Sequence, residues 1–113
     1  MLHIETVEPG TFSILKRLMH IKALQPFSLV GGTALSLRYG HRTSVDLDLF
    51  YHGNFDPDLI VKALKKEFAK GYSAESKTAR WGIFCYLNDV KVDLVHFPHP
   101  LISDIETNNT IRM

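Results

Sequence analysis

Cysteine is almost absent from this 113-residue chain, and so is any excess of charge. The one cysteine, Cys85, has no internal partner for a disulfide, which agrees with a reducing compartment. Lying in an apolar run, it reads as a small core residue. The formal net charge of +1 argues against an extended, strongly basic nucleic-acid surface. Local basic clusters remain, Arg38, His41 and Arg42 in one and Lys62, Lys65, Lys66 and Lys70 in another, the lysines reading most simply as a solvated helix face. No apolar run is long enough to cross a bilayer, and the opening M-L-H-I-E-T-V has neither the basic nor the apolar region of a secretion signal. The expectation is a cytoplasmic protein with no membrane partner. There is no internal repeat, linker or low-complexity stretch. With 45 % hydrophobic and 22 % charged residues, the composition is that of an ordered globular chain, read as a single domain over 1–113.

What is present is concentrated between Leu29 and Phe50. In Val45-Asp46-Leu47-Asp48-Leu49-Phe50 the alternation has period two. As a strand it sends Leu47 and Leu49 to one side and both aspartates to the other. Two neighbouring carboxylates repel, and burying them is costly, so they need water or a cation. Mg²⁺ suits them because it takes oxygen ligands from one or two carboxylates together with substrate phosphates. The bland alternative for an isolated D-x-D is an edge strand with its aspartates in water.

Upstream, Gly31 and Gly32 follow the apolar run 27–30 and precede a stretch of helical character from Thr33 to Tyr39. A glycine turn before a helix exposes backbone N–H groups at the positive end of the helix dipole, which makes an anion site. Thr33 can cap that helix or offer its hydroxyl to a phosphate. Taken alone, a Gly-Gly pair is more often only a tight turn. A phosphate turn and a D-x-D strand within one short unit is a much rarer conjunction.

The rest of the chain supplies a frame. Phe12, Leu15, Leu18 and Met19, widened by Ile14 and Ile21, predict a core-packed helix from Pro9 that Pro26 ends. Asp56-Pro57-Asp58 reads as an N-cap, a first-turn proline and an acidic start. The helix that follows carries Ile60, Leu64 and Phe68 on one face and ends at Lys70-Gly71. From Tyr72 to Leu87 strand formers dominate, and Asn88-Asp89 suits a two-residue hairpin turn. That turn sets Phe84 opposite Asp93, with Lys91, Asp93 and Val95 on one face and Val92 and Leu94 on the other. Beyond Pro98 and Pro100 come a short helix at 103–106 and a polar turn at 108–110. The fold class is α/β (α+β): a small domain with a twisted mixed sheet of four or five strands and helices mainly on one face.

The run GGTALSLRYGHRTSVDLDLF resembles the signature of the AbiEii-type nucleotidyltransferase toxins, a branch of the DNA polymerase β-like nucleotidyltransferase superfamily. There a Gly-Gly or Gly-Ser turn, a helix and a D-x-D strand are followed by a third carboxylate on a later strand, and Lys91-Val92-Asp93-Leu94-Val95 is similar to that later strand. The resemblance covers roughly residues 27–97. It implies that Asp46, Asp48 and Asp93 are catalytic and hold two Mg²⁺ ions. It also implies that Gly31, Gly32, Thr33, Arg42 and Ser44 bind the nucleotide phosphates while His41 orients the turn. The implied reaction moves a nucleoside monophosphate from an NTP to an acceptor hydroxyl and releases pyrophosphate. The implied setting is the toxin of a toxin–antitoxin pair, with tRNA or another RNA as acceptor and a cognate antitoxin as partner.

One departure stands out. Family members continue into a C-terminal helical region that begins with a lysine-bearing helix, and this chain ends at Met113. Lys77, Arg80 and Lys91 are the candidates to replace that lysine. Uncovered helix contacts would leave an apolar patch exposed, which predicts a homodimer or a partner protein over it. The alternative to catalysis is an inactive nucleotide- or partner-binding remnant of the fold. The three aspartates argue against that reading and the short C-terminus argues for it. A metal-dependent phosphoesterase is weaker, because no H-x-H or H-D pair is present.

Overall fold

A computed structural model of the chain describes residues 4, 7–30, 37, 46–75, 81–96, 107–108 and 111–113. The expected glycine turn with Gly31, Gly32 and Thr33, its helix apart from the buried Leu37, the basic turn with His41, Arg42 and Ser44, and the candidates Lys77 and Arg80 lie outside the described residues. So does the short helix expected at 103–106.

Helix α1 spans Pro9–Met19. Glu8 caps it, its carboxylate accepting from the Thr11 N–H at 2.9 Å and from the Thr11 hydroxyl at 3.2 Å, and Pro9 takes the first turn, where no donor is needed. The helix ends well before Pro26, the stop expected from sequence. His20 closes it with its backbone N–H on Arg17 O and Leu18 O and its ring Nδ1–H on Lys16 O at 2.8 Å. Ile21 is extended, and a 3₁₀ turn over Lys22–Leu24 carries the chain to β1, Ser28–Val30.

β2, Leu47–Tyr51, runs antiparallel to β1. Helix α2, Pro57–Phe68, starts at Asp56, whose carboxylate accepts from the Asp58 N–H, and buries Ile60, Leu64 and Phe68 as their spacing predicts. It stops at Phe68, and a 3₁₀ turn over Ala69–Gly71 follows. Gly71 is needed for a close approach rather than as the helix cap: an added Cβ would lie 1.9 Å from Asn88 Oδ1. Asn88 N–H in turn donates to Gly71 O at 2.9 Å.

β3, Tyr72–Ala74, β4, Gly82–Leu87, and β5, Val90–His96, complete a five-stranded sheet in the order β1-β2-β5-β4-β3. Only the β2–β5 pair is parallel. The β4–β5 hairpin turns on Asn88 and Asp89 at φ 49° and 69°, the left-handed pair that a type I′ turn demands and that Asn and Asp tolerate.

Alternation divides this sheet. Leu29, Leu47, Leu49, Ile83, Cys85, Leu87, Val92 and Leu94 are all buried on one face and meet Leu15 and Leu18 of α1 and Leu64 of α2 in a single core. Burial pushes the Cys85 thiol up to about 12, so Cys85 is the inert core residue its surroundings suggested. Arg17 ties the helices together, paired with Glu67 at 3.1 Å and lying over the Phe68 ring.

The C-terminal residues form a small ribbon, β6 at Thr107–Asn108 against β7 at Ile111–Arg112. Ile111 is fully buried. The Arg112 guanidinium donates to Phe27 O at 2.9 Å, Leu24 O at 3.0 Å and Met19 O at 3.2 Å. One side chain thus satisfies carbonyls from the end of α1, the 3₁₀ turn and the approach to β1.

Candidate active site

The opposite face of the sheet carries the candidate aspartates. The register pairs Val30 with Asp48, Asp48 with Asp93 and Asp93 with Phe84. Directly paired residues share a face, so these four form one row across β1, β2, β5 and β4. Glu75 N–H donates to Phe84 O and extends the row by one carboxylate. Because β2 and β5 are parallel, Asp48 and Asp93 are one strand spacing apart, and Asp46 stands exposed one residue before β2.

Lys91 sits one step along β5 on the same face. Its Nζ lies 3.4 Å from Glu75 Oε2 and 3.8 Å from Asp93 Oδ2. Burial raises the Asp48 carboxyl above its ordinary value and the Asp46 charge raises it further, against a lowering by Lys91. Burial likewise raises Asp93, Lys91 pulls it down, and the charges of Asp48, Glu75 and Asp46 push it up. Two unit charges about 4.8 Å apart repel by about 3 kcal/mol at an effective dielectric of about 20, and partial exposure reduces that. The lysine therefore offsets only part of the repulsion, and both carboxyls remain shifted upward.

Side-by-side carboxylates are the kind of oxygen donors that a divalent cation takes. Asp93 Oδ1 is buried without a hydrogen-bond partner, while its other oxygen, Oδ2, lies toward Lys91, so one acceptor of the pair is uncompensated. Among the described residues, no three of His, Cys, Asp and Glu converge closely enough to enclose an ion by themselves. The carboxylates form one side of a coordination shell, which phosphate oxygens and water would complete, as Mg²⁺ commonly requires.

Of the residues singled out from sequence, Asp48 and Asp93 are brought together and Asp46 flanks them. Gly31, Gly32, Thr33, Arg42 and Ser44 lie outside the described residues. Lys91, named from sequence as a candidate to replace the family's C-terminal lysine, is engaged by two carboxylates. Sequence reasoning missed Glu75. No local signal marks it, because its place depends on the β3–β4 register across a connection whose length says nothing about pairing. Phe84, the register partner of Asp93, and Trp81 against its ring were also passed over. The unusual exposure of the chain's one tryptophan could not be read from the residue itself.

Comparison with known proteins agrees with this architecture. A Thermotoga maritima protein described as a candidate nucleotidyltransferase (TM1012) superposes at a TM-score of 0.51 with 14 % identity, over 80 % of this chain and 58 % of that one. JHP933 of Helicobacter pylori superposes at 0.53 with 22 % identity, over 94 % of this chain and 52 % of that one. At such identities the likeness is one of fold. In sequence, an uncharacterized protein of Aquifex aeolicus, aq_aa25, is 30 % identical over 99 residues, which are 86 % of this chain and 47 % of the relative. The chain thus spans about half the length of the relatives it matches. Residues 13–80 match the family model described as nucleotidyl transferase AbiEii toxin, type IV TA system, a span that takes in Asp46 and Asp48 and stops short of Asp93. With more than half of its residues in that match, the chain belongs to the AbiEii nucleotidyl transferase toxin family.

Proposed function

We propose that the chain transfers a nucleoside monophosphate from an NTP to an acceptor hydroxyl, as the toxin of a cytoplasmic toxin–antitoxin pair with an RNA such as tRNA as acceptor. The observation that best supports this reading is the side-by-side register of Asp48 and Asp93 on an open face, with Asp93 Oδ1 buried and unpartnered. Asp46, Asp48 and Asp93 are the residues to hold two Mg²⁺ ions, which when bound stabilise phosphate charge and lower the pKa of a hydroxyl. Asp93 is the residue to bridge the activating ion or to receive the acceptor's proton. The acceptor oxygen then bonds to the α-phosphorus, the bond from that phosphorus to the bridging oxygen breaks, and pyrophosphate leaves. Gly31, Gly32, Thr33, Ser44 and Arg42 hold the β- and γ-phosphates through N–H groups, hydroxyls and a bidentate guanidinium.

The test is transfer of α-labelled nucleotide, each of the four NTPs being offered with Mg²⁺ and total cellular RNA. Label in RNA that is lost with Asp46→Ala and with Asp93→Ala is the expected result. One observation favours a second reading, a binding module without turnover: Lys91 already lies 3.8 Å from Asp93 Oδ2, as a built-in counter-charge would. Mg²⁺-dependent NTP binding in calorimetry with no label in RNA, protein or small acceptors would select that module over the enzyme.

A further inference from the structure

Beside the carboxylate row lies an aromatic ledge. Phe84, the register partner of Asp93, lays its ring along β4 over Gly82, where an added Cβ would come within 2.8 Å of the ring. Trp81 stands edge-on to that ring, with centroids 5.2 Å apart and planes at 64°. Its backbone is fixed by the His96 N–H, which donates to Trp81 O at 2.8 Å, yet the residue is 57 % exposed. The other large hydrophobic residues exposed among the described ones are Ile4, near the N-terminus, and Leu59, on α2. Trp81 reaches the carboxylate row through Phe84, the register partner of Asp93.

The sheet order assigns sides to this face. β1 ends at Val30, immediately before Gly31 in sequence, and lies on one flank of the Asp48–Asp93 pair. β4, with Phe84 and the preceding Trp81, lies on the other. If triphosphate is held toward Gly31 and Gly32, the acceptor approaches from the Asp93 flank. We propose that Trp81, backed by Phe84, is a stacking platform for the base of a single-stranded nucleic-acid acceptor end. The assignment of sides rests on the transferase reading above.

The surroundings favour a base over a protein partner. Asp93 and Glu75 flank Phe84 on the neighbouring strands, with Lys91 paired to both, whereas the buried core of a protein interface is depleted of charge. Base stacking needs one accessible aromatic face and tolerates a polar rim, and it works with any base. Phe84 holds the indole in place, so little freedom is lost when a base settles on it.

Trp81 is the only tryptophan, so fluorescence excited beyond the tyrosine absorption reports on this position alone. The experiment titrates the chain with a short single-stranded oligoribonucleotide and with an abasic strand carrying the same number of phosphates, without NTP. Labelled-strand anisotropy is then measured for wild type, Trp81→Ala and Trp81→Phe. Quenching by the strand with bases and not by the abasic one is expected. Trp81→Ala should bind about tenfold more weakly, and Trp81→Phe should recover most of the loss.

Equal response to both strands, unchanged affinity in Trp81→Ala, or a fluorescence change that tracks self-association in light scattering would overturn the platform. If Trp81→Ala does not fold, wild-type quenching and the Trp81→Phe affinity still decide. No turnover is involved, so the two readings fail separately. Base-dependent quenching without label transfer sinks the transferase and keeps the platform, while transfer with unaltered acceptor KM in the variants sinks the platform alone.

Discussion

The two faces of the β2–β5 pair share one backbone and almost nothing else. On one, Leu47, Leu49, Val92 and Leu94 are sealed under the helices, each no more than 1 % exposed. On the other, the intervening Asp48, Asp93 and Lys91 stay half-exposed, the two carboxyls raised by burial and mutual charge and the lysine offsetting part of that. Neighbours in sequence therefore belong to different problems, and the stability of the fold can be separated from the chemistry of the site one residue at a time. Leu94→Ala is the largest expected effect, a loss of about 2–5 kcal/mol in urea unfolding. Against a total of about 5–15 kcal/mol for an ordinary domain, that leaves a marginal chain whose activity fails because it unfolds.

Asp93→Asn, one residue away, should do the reverse. Label transfer is expected to fall at least about a hundredfold, while the metal-free chain melts no lower than wild type, because a carboxylate repelled by its neighbours has been made neutral. A variant that loses activity and stability together would show that the open face is also structural, and the contrast between the faces would collapse.

The division into faces was legible in the sequence, because a period of two in 45–50 and again in 90–95 leaves strands no other arrangement once one side is apolar. That Asp48 and Asp93 are direct partners was not. It requires β5 to pair parallel with β2 after the chain has passed through α2, β3 and β4, and no local pattern encodes such a return. The ends of elements were misplaced for similar reasons. α1 stops at Met19 because the backbone and ring of His20 satisfy carbonyls that Pro26 is too distant to influence. Gly71, which looks like a helix cap in sequence, answers instead to Asn88, 17 positions later. Five of the eight expected site residues, Gly31, Gly32, Thr33, Arg42 and Ser44, lie outside the described residues, so the phosphate-binding expectation still rests on motif and resemblance.

Arg112 offers a third perturbation, on the C-terminal ribbon rather than on the β2–β5 pair. Its guanidinium serves carbonyls of Met19, Leu24 and Phe27, and nothing in the polar run before it announces this, because the three acceptors are scattered in sequence and meet only in the fold. Arg112→Met keeps the aliphatic stem and removes the donors, so a loss of about 1–3 kcal/mol is expected in thermal unfolding. Transfer measured well below the new melting temperature should be unchanged, and a loss of activity there would mean that the ribbon supports the site directly.

The smallest effect is in pH and tests the electrostatics alone. Asp48 and Asp93 are raised above their ordinary value of 3.8, burial being the first cause for each. The folded chain therefore binds their protons more tightly than the unfolded chain does, and unfolding free energy falls as pH rises through the raised values. Glu8 has the opposite sign: N–H donation from Gly10 and Thr11 lowers it below 4.5, so its contribution is present above that value and lost as pH falls through the lowered one. Wild type without divalent cation should thus gain about 1–2 °C in Tm, relative to the double variant Asp48→Asn/Asp93→Asn, as pH drops from about 7 toward 4. The Glu8 term is common to both and cancels. Saturating Mg²⁺ should abolish the relative gain, since an ion bound between the carboxylates relieves the repulsion that protonation otherwise removes. Parallel melting curves for the two chains across that window, with and without Mg²⁺, would mean that water already neutralises the pair and that the open face is no more strained than the closed one.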